Sequence, residues 1–75
     1  MSTTDLNRYI AGEIRAAMSR NKVTTAELAE QIGISPATLH RRMSGASSFT
    51  VTELADISAV LGVAYPTFWP DGSAA

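Results

Sequence analysis

The feature that most constrains this chain is its punctuation: three successive segments carry a helix-start signal, and each is closed by a glycine. In Val23-Thr24-Thr25-Ala26-Glu27-Leu28, Thr24 and Glu27 have the spacing of a capping box. There a hydroxyl and a carboxylate satisfy each other's backbone N–H groups, and Val23 and Leu28 are spaced to clasp the first turn from outside. The pattern recurs in Phe49-Thr50-Val51-Thr52-Glu53-Leu54. Between the two lies Ile34-Ser35-Pro36-Ala37-Thr38-Leu39, where Ser35 caps and Pro36 takes the first helical position, which needs no donor. These signals predict helices over about 24–32, 35–43 and 50–61. Gly33, Gly45 and Gly62 follow their ends, where a left-handed residue is wanted.

Upstream, Leu6, Ile10, Ile14 and Ala17, with Met18 beside them, fall on one helical stripe, while Arg8, Glu13 and Arg15 face away. Thr4-Asp5 is a reasonable start for that helix and Asn21 a reasonable left-handed stop. A last single turn is expected near Tyr65 to Trp69, opened by Pro66 and closed by Pro70. No segment sustains the two-residue alternation of a strand, so the fold class is all-α. Seventy-five residues make one domain, 1–75, with its core over about 5–69 and a flexible tail at 70–75.

The break between the second and third helices is the informative one. Only Gly33, Ile34 and Ser35 separate them, which is too short for a roomy antiparallel hairpin. A three- or four-residue turn containing glycine joins helices at a steep angle, as in a helix-turn-helix. Ala29, four residues before Gly33, lets the two helices approach closely. Leu28, Ile32, Ile34, Leu39 and Met43 form an apolar underside for both.

The run Thr25-Ala26-Glu27-Leu28-Ala29-Glu30-Gln31-Ile32-Gly33-Ile34-Ser35-Pro36-Ala37-Thr38-Leu39 resembles the helix-turn-helix of the Cro/lambda-repressor class. The shared pattern is a leucine–alanine pair, an aliphatic–glycine–aliphatic turn, a serine cap and a buried aliphatic in the recognition helix. The likeness continues through Met43-Ser44-Gly45 and Phe49 to Leu54 to Ala59-Val60-Leu61-Gly62-Val63, covering roughly residues 5–64. It implies a compact five-helix domain of a phage-repressor-like transcriptional regulator. The class often has a longer polar residue where Thr25 stands, and commonly an aliphatic one where this chain has Arg42. Met43 can fill the core in its place, leaving Arg42 free to lie beside the DNA backbone.

The third helix reads the same way from its residues. With Leu39 and Met43 inward, its outer face shows Ala37, His40, Arg41 and Ser44, with Ser35 and Thr38 at the leading end. A recognition helix reads bases through its N-terminal half in the major groove. The expected base contacts are therefore Ser35, Ala37, Thr38, His40 and Arg41. The expected phosphate contacts are Thr25, Arg42, Ser44, Ser47 and Ser48. On its own, Arg41-Arg42 is more often a solvated helix face; its place behind the turn shifts the balance toward DNA. The serines read equally as a plain connection and as phosphate donors.

Charge bears on this in two directions. The net charge of -1 argues against nucleic acid, because DNA-binding domains usually carry a basic excess. From Gln31 to Thr52, however, there is no acidic residue, and His40, Arg41 and Arg42 all fall in that window. A weakly acidic chain thus has a locally cationic stretch, which phosphate contact requires.

Other function classes lack their chemistry. The chain has no cysteine and one histidine, so disulfides, thiolate metal sites and thiol nucleophiles are out, and no metal or other cofactor is expected. No paired carboxylates or phosphate-cradling glycine loop suggest an enzyme or a small-molecule site, and no apolar run is long enough for a membrane. The expectation is a cytoplasmic, sequence-specific DNA-binding transcriptional regulator, a repressor, with double-stranded DNA as partner. It acts as a homodimer at least on DNA, paired through Val63 to Trp69 and Val60. Tyr65, Phe68 and Trp69 otherwise close the core. The alternative is a protein-interaction module on the same fold, such as an antitoxin or phage accessory factor, with little DNA affinity.

Overall fold

The computed structural model describes residues 2–64 and Phe68. Its four helices are α1 (Thr3–Asn21), α2 (Thr25–Ile32), α3 (Pro36–Met43) and α4 (Val51–Leu61), and no strand occurs among the described residues. The fold is all-α, as expected. Among the described residues the count is four where five helices were expected. The fifth was placed at Tyr65 to Trp69, of which Phe68 alone is described, and it is fully buried. The segment 70–75 lies outside the described residues.

The start signals act where the sequence places them. Thr24 and Thr50 each accept a hydrogen bond from the backbone N–H three residues on, and Glu27 and Glu53 reciprocate, closing two capping boxes. Ser35 accepts from the backbone N–H of Thr38, with Pro36 opening the helix. The first helix differs: it begins at Thr3, one residue before Thr4, because Ser2 supplies the cap by accepting from the Asp5 N–H at 3.1 Å.

Its end differs too. Asn21 is not the left-handed stop; it remains helical, and Lys22 adopts that conformation at φ 55°. The reason is long-range. The Asn21 side-chain amide donates to the Ala17 carbonyl at 2.8 Å and to the Leu61 carbonyl at 3.1 Å, tying the end of α1 to the end of α4. All four helices close with a bond six residues long. Val23, Ile34, Ala46 and Val63 N–H groups reach back to the carbonyls of Met18, Ala29, Arg41 and Ser58. This satisfies carbonyls that a helix end otherwise leaves open.

Packing places α1 against α3 and α4, and α2 against the same two helices. The core comprises Ile10, Ala11, Ile14, Ala17 and Met18 of α1, Leu28 and Ala29 of α2, and Leu39 and Met43 of α3. Leu54, Ile57 and Leu61 of α4 complete it with Phe68. Leu6, Val23, Ile32, Ile34 and Phe49 pack against it, partly buried. Ala29 is fully buried beneath the α2–α3 turn, as its small side chain suggests.

Candidate nucleic-acid interface

The α2–α3 turn is fixed by backbone geometry. Gly33 lies at φ 77°, ψ 28°, and its N–H bonds back to the Glu30 carbonyl while that of Ile34 reaches Ala29. Nothing lies within 4 Å of where a Cβ would stand, so glycine is needed for its conformation and not for lack of room. The next residue but one, Ser35, caps α3. The second helix is thus launched as soon as the first has closed.

That launch leaves one face of α3 outward. Leu39 and Met43 point into the core, and Ala37, His40, Arg41 and Ser44 are exposed. At the leading end the Ser35 hydroxyl accepts from the Thr38 N–H at 3.1 Å and donates to the Thr38 hydroxyl at 2.8 Å. The Thr38 oxygen is therefore already an acceptor, and its own proton is left to donate outward. The Ser44 hydroxyl donates to the Arg41 carbonyl at 3.0 Å, closing the last turn, while Arg41 itself extends from the exposed face. Basic residues fill the last turn of α3 and none of its first turn is acidic.

Arg42 is not free. Its Nε and Nη2 donate to the two carboxylate oxygens of Glu53 at 3.0 and 3.2 Å, and its Nη1 donates to the Ser47 hydroxyl at 2.8 Å. Within this fold, then, the guanidinium expected beside the DNA backbone holds the 44–49 loop and the start of α4. Glu53 Oε1 also accepts from the Thr50 N–H at 2.9 Å, so one carboxylate serves the capping box and the ion pair. Burial raises the Glu53 pKa, but hydrogen bonds from Arg42 and the Thr50 backbone, with the Arg42 charge, outweigh it and hold the carboxyl below its ordinary value. The hydrogen bonds to Glu53 raise the Arg42 pKa correspondingly.

A family model described as the Cro/C1-type HTH DNA-binding domain matches residues 13–66. The chain belongs to this family. A solved structure of an HTH_3 family transcriptional regulator from Vibrio cholerae superposes with a TM-score of 0.78 at 22% identity. The match covers 89% of this chain and 38% of that one, and the likeness is one of fold. No curated protein matches.

In this Cro/C1-type domain the structure gathers Ser35, Ala37, Thr38, His40, Arg41 and Ser44 on or beside the outward side of α3. Thr25 is exposed at the start of α2 and Ser48 in the loop after α3, whereas Ser47 is half-buried as the acceptor of Arg42. Glu53, the partner of Arg42, is the neighbour of the candidate interface that sequence reasoning missed. It stands one residue beyond the acid-free window of 31–52, and its capping spacing accounted for it fully. Its second partner, eleven residues upstream, left no local signal.

Proposed function

We propose that this Cro/C1-type domain is a sequence-specific transcriptional regulator, a repressor, that seats α3 in the major groove of double-stranded DNA. The observation that carries the reading is the outward face of α3. Ala37, His40 and Arg41 are exposed there, held by a glycine turn and a serine cap, and none takes part in the core. On this reading Ala37 and Thr38 meet base edges, Arg41 pairs with guanine, and His40 and Ser35 lie against the groove. Thr25, Ser44 and Ser48 approach phosphates. The transcriptional regulator it superposes on supports the regulatory role. The 75 residues act as one cytoplasmic unit without cofactor or catalysis.

The active form on DNA is a homodimer. One recognition helix covers about half a helical turn, and pairing on half-sites about 34 Å apart supplies the missing specificity. Selecting bound sequences from a random duplex pool, then titrating the winner by anisotropy, tests the whole reading. A palindromic consensus bound as two copies in ultracentrifugation supports it; a one-to-one complex on an asymmetric site removes the dimer. No enrichment at low salt leaves the second reading, a protein-interaction module, which the net charge of -1 and the neutralised Arg42 favour.

A further inference from the structure

The Arg42–Glu53 pair sits where its charge matters to DNA. Arg42 follows Arg41 by one residue, hence about 100° around the helix, on the flank of α3 that turns from the outward face toward α4. Both side chains are partly exposed, 19% for Arg42 and 13% for Glu53, so the pair lies at the surface. Three guanidinium donors are committed, two to Glu53 and one to Ser47, in the two-pronged arrangement that suits arginine to phosphates as well as carboxylates.

We propose that Glu53 serves as a built-in substitute for a DNA phosphate, holding Arg42 off the phosphodiester backbone and so keeping affinity for random DNA low. The inference rests on the reading that α3 enters the groove. The physical argument is an exchange. To grip a phosphate through its two-pronged Nε–Nη2 edge, Arg42 must give up its two charge-assisted bonds to Glu53. It must also leave the Glu53 carboxylate, still fixed by Thr50, unpaired beside a polyanion. Non-specific binding is governed almost wholly by the number of cations facing phosphates. A cation that arrives already neutralised adds nothing to that number. Arg41, on the outward face, makes no ion pair among the described residues and retains its charge for the groove.

The test uses E53Q and the double variant R42Q/E53Q, with the dependence of affinity on salt as readout. Glutamine preserves the capping box at the start of α4, since the motif accepts glutamate or glutamine. It removes the charge that holds Arg42. Binding to a random-sequence duplex is measured by anisotropy across salt concentrations, with circular dichroism confirming the fold. E53Q is expected to steepen the slope of log affinity against log salt by about 0.9, the value of one added phosphate contact. At 0.1 M salt this is a gain of roughly eightfold, taking equal affinities at 1 M. The double variant exchanges a neutral pair for a neutral pair, and is expected to keep the wild-type slope. A folded E53Q with an unchanged slope overturns the proposal. So does a double variant whose slope flattens by about 0.9, for then Arg42 contacts phosphate in the native complex. If E53Q unfolds, the double variant decides alone. A wild-type chain that binds no DNA at all removes the reading of function itself, an outcome distinct from either of these.

Discussion

Replacing Gly33 by alanine isolates the contribution of the turn. Because nothing lies within 4 Å of the added methyl, no clash with the rest of the molecule enters the cost. What remains is the left-handed backbone at φ 77°, which costs an L-residue about 1–2 kcal/mol. Alanine recovers about 0.4–1 kcal/mol of that by restricting the unfolded chain. The net loss is about 1 kcal/mol, or a fall in Tm of about 4–8 °C for a domain of this size. Valine at the same position should cost more, since its branched Cβ is poorly compatible with positive φ. Lys22 provides the opposite test: it is non-glycine at φ 55°, so Lys22→Gly should raise the Tm by a few degrees as strain is relieved. Thermal melts of the three variants by circular dichroism suffice. If Gly33→Ala melts within a degree of wild type, or Lys22→Gly melts lower, the backbone argument is wrong.

Arg41→Ala should weaken binding to a selected site by about 1–3 kcal/mol and relax preference at one base pair; equal loss on random DNA reassigns the residue to phosphate. Because the Glu53 carboxyl is held below its ordinary value, its share of stability is present above the unfolded pKa, about 4.3, and is lost as pH falls through the lower folded value. The wild type should therefore lose more Tm than E53Q between about pH 6 and about pH 3, and parallel losses would refute the assignment. Asn21→Ala should destabilise by about 1–3 kcal/mol, since the partly buried Leu61 carbonyl loses its donor; denaturant titration without a shift in midpoint would contradict this.

The helices of this domain were legible because their signals are local. A threonine three residues before a glutamate, or a serine before a proline, specifies a helix start within one turn of chain, and Thr24, Ser35 and Thr50 cap as that logic requires. Glycine marked three of the left-handed positions for the same reason. What escaped depends on partners distant in sequence. Asn21 has the intrinsic preference for a left-handed stop, but the Leu61 carbonyl, forty residues away, engages its amide and passes the role to Lys22. Arg42 reads as a free cation because the charge that meets it lies across the 44–49 loop. The outward composition of α3 was readable from helical periodicity alone; which of its charges are already neutralised was not.

The division of labour along α3 bears on how such a domain changes its target. An eight-residue helix is too short to persist alone in water, so α3 owes its shape to Leu39 and Met43 beneath it and to its caps. Ala37, His40 and Arg41 bury nothing in the core; their part in that shape is helix propensity and, for the two basic residues, the last turn's open carbonyls. On the reading proposed above, substitutions at these three positions other than glycine or proline redraw the surface offered to a groove at a folding cost of about 1 kcal/mol or less. On that same reading, a domain of this kind can move from one target to another by single replacements while remaining folded.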